Sequence, residues 1–262
     1  LLVRDKGPII FTKRKQVHTN EVSKILDRTD LQCQLITLQK KLLDTDWESI
    51  LNHNENVLYI PYLHQAYFKN VLIRRIKDCK KVDDLRKMSI KLIMGFKCRA
   101  GKTYTIPLSF YGMKKHFQDN FNILVLLLNP TETKEDFIET FQMFPVFNVV
   151  YIEKTEDFDR VTNCKSNIII ISKQLVCHGK NREYIEKIKE LKCIGKVIDE
   201  AHNGGMTDKT IELDRELNIP LEILVTYTYD KCKGSDREII RFNSTQLTLC
   251  KNFHKNKSTL ED

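Results

Sequence analysis

No stretch of this sequence approaches the roughly 20 apolar residues that carry a helix across a bilayer, and no signal-peptide pattern opens it. Membrane partners are therefore not expected. The eight cysteines never fall as a C-x-x-C pair and show no paired spacing, which argues against a zinc ribbon and against a secreted disulfide framework. Cys98 and Cys193 lie beside apolar runs, where free thiols pack as small hydrophobes, so a reducing, intracellular compartment is expected. There is no metal-binding repeat and no aromatic RNA-binding signature. The single tryptophan, Trp47, is expected to anchor the N-terminal segment. The first residue is Leu1, so a piece of a longer chain is expected.

What is present is enough for a real core. With 262 residues and 41% hydrophobic side chains, one large domain, alone or with an appendage, is the expectation. The net charge of +8 is unevenly spread. Residues 1–90 hold 17 Lys+Arg against 11 Asp+Glu, and residues 91–262 hold 26 against 24. The excess falls in clusters such as Lys13-Arg14-Lys15, Arg74-Arg75-Ile76-Lys77 and Lys80-Lys81. Such clusters suit a phosphate backbone, and equally suit ordinary solvated helix faces.

Residues 1–55 read as an α+β appendage. A hairpin is expected, with strands at 1–3 and 9–12 around Asp5-Lys6-Gly7-Pro8, followed by helical spacing through Leu42 and Leu43. After Pro61, the positions Leu63, Tyr67, Val71, Leu72 and Ile76 form a helical stripe. Six short apolar strands are then separated by helical patterns: 90–94, 122–128, 147–152, 167–171, 194–198 and 221–225. That alternation predicts an α/β fold with an open, mainly parallel sheet and helices on both faces. Ligands of such sheets gather at the carboxyl ends of the strands.

Residues 91–105 (KLIMGFKCRAGKTYT) carry a strand into a polar loop and then into the start of a helix at Gly101-Lys102-Thr103. Free backbone N–H groups at a helix N-terminus face phosphate oxygens, and the helix dipole favours their charge. Lys102 would reach the β and γ phosphates of a nucleotide, the Thr103 hydroxyl would ligate Mg²⁺, and Gly95, Arg99 and Ala100 would complete the loop. The match to G-x-x-x-x-G-K-[ST] is imperfect. Phe96 stands where the first glycine belongs, Gly95 is one residue early, and Arg99 replaces a frequent glycine. Arg99 is read either as a phosphate clamp or as the partner of a carboxylate. Gln65 is read as pairing with an adenine edge, since one amide both donates and accepts, or as a plain surface glutamine. His64 beside it is read as a surface or packing residue.

A second motif follows the strand at 194–198. Asp199-Glu200-Ala201-His202 begins ninety-seven residues after Lys102. Two adjacent acids at the end of a buried strand are costly unless a cation sits there, and Mg²⁺ on nucleotide phosphates would supply it. Asp199 would hold the metal, and Glu200 would orient and polarise a water.

With both motifs in place, residues 56–250 resemble the first RecA-like lobe of superfamily 2 helicases and translocases of the DEAH/DEAD-like type. Residues 251–262 would lead towards a second lobe. The resemblance implies ATP and Mg²⁺ as ligands and a nucleic acid, DNA ahead of RNA, as partner. Thr226-Tyr227-Thr228 resembles the family's S/T-A-T motif, with tyrosine at the central small position, and implies a coupling role for Thr226 and Thr228 alongside His202. Thr131 and Thr133, and Ser172, Lys173 and Gln174, stand where the family contacts nucleic-acid backbone. The wording of CRAGKT, NPTET, SKQL, DEAHNGG and VTYTYDK is most similar to helicase-like proteins of large DNA viruses and restriction-type helicase subunits. A viral origin would imply the host cytoplasm, a replication site or the virion.

The family completes catalysis with arginines from a second lobe, a positive charge worth roughly a thousandfold or more in rate. The sequence ends at Asp262 without one, so this stretch is expected to bind nucleotide and hydrolyse it poorly by itself. Two other readings stay open: a non-unwinding ATP-binding subunit of a transcription or assembly complex, suggested by Phe96 and Arg99, and the motor subunit of a restriction-like nuclease.

Overall fold

The computed structural model describes residues 3–4, 7–8, 61–97, 99–177, 182–199, 201, 208–228, 236–248 and 250. Its main feature is a seven-stranded sheet with every neighbouring pair parallel: β3 (Ile90–Phe96), β4 (Asn122–Leu127), β5 (Phe147–Ile152), β6 (Ser166–Ser172), β7 (Gly195–Ile198), β8 (Leu221–Thr226) and β9 (Glu238–Phe242). The spatial order is β5-β6-β4-β7-β8-β3-β9, so the sheet is open, with β5 and β9 at its edges. A separate two-stranded ribbon pairs β1 (Val3–Arg4) with β2 (Gly7–Pro8) antiparallel. Its return strand is thus Gly7–Pro8, earlier than the expected 9–12. Residues 9–60, with Trp47 and the Lys13-Arg14-Lys15 cluster, and residues 251–262 lie outside the described residues.

Strand side chains alternate between two cores, as a period of two demands. Ile123, Val125 and Leu127 of β4 and Ile168 and Ile170 of β6 face one layer, with Phe68 and Leu72 of α1 (Leu63–Ile76), Ile106 and Phe110 of α3 (Lys102–Phe117) and Phe137 and Phe141 of α4 (Pro130–Gln142). Leu124, Leu126, Ile169 and Ile171 face the other, with Val176 of α5 (Lys173–Cys177), Ile188 of α6 (Arg182–Glu190) and Leu213 of α7 (Asp208–Leu217). The short α2 (Val82–Leu85) joins α1 to β3. Cys193 is buried in the second layer, and burial pushes its thiol up to about 12, consistent with an inert packing residue.

The sequence reading missed β9. Its residues EIIRF alternate: Ile240 and Phe242 are buried, Arg241 is exposed, and among the described residues only β3 pairs with it. An edge strand broken by charge lacks the continuous apolar run that marked the other six.

Polar groups inside the sheet are paired. At the amino edge Asn148 donates to Asn167 (2.8 Å) and Asn167 to Asn122 (2.7 Å), a ladder across three strands. Lys196 of β7 is enclosed, contacts Asp214 of α7 and lies 2.9 Å from Glu222 of β8, which also accepts from Arg237 at 2.9 Å. Burial alone would raise the Glu222 carboxyl, but Lys196 and Arg237 outweigh it and hold it below the ordinary value of 4.5.

A carboxyl depressed in the folded state gives stability that is complete above its unfolded value and lost as the pH falls through the folded one. Between about pH 6 and about pH 3.5, the urea midpoint should therefore fall further in the wild type than in Glu222→Gln. Equal falls in the two proteins would show that Glu222 carries no such linkage.

Candidate functional site

Because all seven strands are parallel, their carboxyl ends share one edge, and the sequence motifs emerge from it. β3 leads to the loop 97–101 and Lys102, β4 to Thr131 and Thr133, β6 to Lys173 and Gln174, β7 to Asp199, and β8 to Tyr227 and Thr228. Ile198 pairs with Leu224, and Leu224 with Ile93, so the three strands are level across the sheet. Asp199 leaves β7 one residue past that row, and Gly95 and Phe96 end β3 just above it. With adjacent strands about 4.8 Å apart, the strands carrying the loop and Asp199 lie about 10 Å from each other, with only β8 between.

The loop is held from behind by α1. The His64 ring is fully buried, and its Nε2 lies 2.7 Å from the Ala100 carbonyl, so Nε2 carries the proton. Gln65 is 1% exposed. Its Nε2 donates to the Gly101 carbonyl at 3.2 Å and its Oε1 accepts from the Tyr62 N–H at 2.8 Å. The Gly101 carbonyl also accepts from the Thr105 N–H (3.1 Å) and hydroxyl (2.9 Å). α1 reaches this position because it packs closely on α3 at Gly112, where a Cβ would stand 3.1 Å from the Lys69 side chain. Gln65 is therefore neither a surface residue nor an exposed base-reading edge as it stands. His64, set aside by sequence reasoning as surface or packing, both packs and supports the loop. Its place one residue before Gln65 at a helix start was the available signal.

Gly101 caps α3 with φ +70°, the left-handed region, and a Cβ there would lie 2.4 Å from Gln65 Nε2. Both conditions favour glycine: another residue would be strained at this φ and would have to push the Gln65 amide aside. Arg99 also takes a left-handed φ of 60° and is exposed, which accounts for the frequent glycine at this position in such loops. Phe96 does not crowd the loop. It is fully buried and packs edge-on against Phe68 and Phe242. Ala100 is buried, Lys102 and Thr103 are half-buried, and Cys98 lies outside the described residues. The first turn of α3 has neither a side-chain cap nor an acidic residue, so its amides suit an anion.

Asp199 is 7% exposed, and its backbone N–H bonds to the Leu126 carbonyl at 3.1 Å. The Ala201 N–H reaches the Val225 carbonyl at 3.0 Å, tying the turn after β7 to β8. Glu200 and His202 lie outside the described residues. Thr226 is fully buried and its hydroxyl accepts from the Thr228 N–H at 3.1 Å. The Thr228 hydroxyl is buried with no hydrogen-bond partner among the described residues. Tyr227 between them is 45% exposed, so the position does not demand a small residue.

The backbone-contact candidates divide. Thr131 is exposed, and Thr133, half-buried, donates to the Asn129 carbonyl at 3.1 Å. Gln174 is exposed, whereas Ser172 and Lys173 are each 6% exposed. Burial holds the Lys173 ammonium below the ordinary lysine range.

The described residues form no group of three or more His, Cys, Asp or Glu that could hold a metal. Mg²⁺ needs no such cage, since it takes one or two protein ligands and completes its shell with phosphate oxygens and water. Asp199 and Thr103 fit that donor set. Among the described residues, no helix is long and apolar enough to cross a membrane.

No protein-family model matches the chain, and neither does any curated protein. Among solved structures the chain is similar to a nuclease-deletion mutant of the Type ISP restriction-modification enzyme LlaGI, in complex with a DNA substrate mimic. The TM-score is 0.48 and the identity 14%, over 74% of this chain and 22% of that one. It is also similar to the large terminase of a thermophilic bacteriophage, with TM-score 0.44 and 11% identity, over 72% of this chain and 49% of that one. The chain spans about a fifth of the first and half of the second. Likeness at this level carries no argument about chemistry, which rests on the residues.

Gly101→Ala should destabilise the chain by about 2 kcal/mol, from left-handed strain and collision with Gln65. In a Gln65→Ala background the same change should cost less, because only the strain is left. Denaturant titrations of the four proteins test this, and an equal cost in both backgrounds would place Gln65 away from the loop.

Proposed function

We propose that this chain is the first motor lobe of an ATP-dependent helicase or translocase acting on nucleic acid, DNA ahead of RNA. The observation that carries the reading is the shared carboxyl edge of β3, β8 and β7, from which the Lys102 loop and Asp199 both leave with one strand between them. Lys102 and the α3 amides would bind the triphosphate, and Thr103 and Asp199 would hold Mg²⁺. When bound, the metal neutralises charge that develops on the phosphate oxygens.

Glu200, next to Asp199 in the sequence, would orient the attacking water and take its proton. Thr226 and Thr228 leave the strand between the two halves of the site, so a shift there would be felt by both. With His202 they are assigned the coupling of nucleotide state to nucleic acid. Thr131 and Thr133 follow β4, which pairs with β7, and Gln174 follows β6 on the far side of β4; they would meet the backbone along that edge. Ser172 and Lys173 would support Gln174 from inside. Full turnover would need a cation from a second RecA-like lobe, in the parent chain or in a partner.

Two measurements test the reading. The chain should bind Mg-ATP, and Lys102→Ala should abolish that binding in calorimetry. With a second lobe supplied, DNA-stimulated hydrolysis should fall by about a thousandfold in Glu200→Gln. Unchanged hydrolysis in both variants would remove the motor assignment. Binding without turnover in the complete protein would point to a switching subunit instead.

A further inference from the structure

Resting on the nucleotide reading above, we infer that His64 and Gln65 are positioning residues for the phosphate loop, so that the site selects a triphosphate chain and not an adenine base. The peptide plane decides where the loop's donors point. In a trans peptide the C=O of one residue and the N–H of the next point in opposite directions, and no cis bond occurs among the described residues. His64 holds the Ala100 carbonyl towards α1 at 2.7 Å. The Gly101 N–H is thereby turned away from α1. Gln65 bonds the Gly101 carbonyl at 3.2 Å beside the Thr105 N–H and hydroxyl, and together they fix a plane in which the Lys102 N–H points away from α1 as well. Two consecutive donors are so aimed off the supported side of the loop, at the start of a helix whose first turn has no side-chain cap. A concavity of successive N–H groups is the backbone device that binds phosphate.

The two side chains are built for holding still. His64 is wedged among rings: Tyr62 stacks on it at 5.8 Å, and Phe96 and Phe242 meet it at 5.3 and 5.8 Å. Gln65 has its oxygen on the Tyr62 N–H and its amide on Gly101, and it is closed from solvent. To read adenine the side chain would have to give up the Gly101 carbonyl or the Tyr62 N–H and turn outwards from a position closed to solvent. A Cβ at Gly101 would strike this same amide, so the glycine and the glutamine are matched to each other.

The test uses the whole 262-residue chain with Mg-ATP, Mg-GTP and Mg-tripolyphosphate, the last having no base. The variants are Gln65→Leu, His64→Phe, which keeps a ring and removes the donor, and His64→Gln, which restores one. Wild type should bind ATP and GTP within about threefold of each other. Gln65→Leu and His64→Phe should weaken ATP, GTP and tripolyphosphate by one common factor, about tenfold, and His64→Gln should recover most of it. Denaturation midpoints identify any variant whose loss reflects unfolding. A merely structural role would be rescued by any residue that restores the midpoint, not by the donor.

Loss of ATP binding alone in Gln65→Leu, with tripolyphosphate unchanged, would overturn the inference and make Gln65 a base reader. Unchanged binding of all three ligands would overturn it too. A wild type that binds none of them would instead sink the nucleotide reading beneath it.

Discussion

Parallel pairing of β3 with β8 and of β8 with β7 is the constraint on which everything else in this molecule depends. Were either pair antiparallel, the Lys102 loop and Asp199 would leave opposite edges of the sheet. The pairing is enforced by burial on both faces, since Leu92, Ile223 and Val197 fill one layer and Ile93, Leu224 and Ile198 the other. Full burial of such a side chain is worth about 2 kcal/mol, and a slip by one residue would exchange the layers of a whole strand. The enclosed Lys196 and Glu222 add a second lock. Each needs the other at its own height in the sheet, and a charge left alone there would cost several kcal/mol.

On this frame the loop after β3 departs from the usual glycine pattern, and the structure gives each departure a physical account. Phe96 serves the core and leaves the loop to begin at Lys97. Arg99 accepts a left-handed backbone that a glycine would take without strain. Gly101 stands where both its φ and the neighbouring Gln65 amide favour a residue without a Cβ. Tyr227 after β8 is 45% exposed, so its size is accommodated at little steric cost.

Much of the architecture was legible from the residues. Continuous apolar runs such as NILVLLL and NIIII announce strands covered on both faces, and helical stripes between them announce parallel connections. The edge strand β9 was not legible, because charge breaks its run and half of it faces away from the core. The strand pattern told that the loops after β3, β4, β6, β7 and β8 share one edge, since a parallel sheet leaves no other place for them. It could not tell burial. Ser172 and Lys173 look like solvent-facing polar residues and are enclosed. His64 looks incidental and bonds the loop from 36 positions upstream, a contact signalled only by its place beside Gln65 at a helix start.

The central claim is that residues from β3 and β7 share one metal and one triphosphate. Mn²⁺ in place of Mg²⁺ makes that sharing visible by electron paramagnetic resonance. Mn²⁺ should bind tightly only when ATP is present, and Lys102→Ala and Asp199→Asn should each abolish the bound signal. Mn²⁺ that binds without nucleotide, or that persists with ATP in either variant, would contradict the claim.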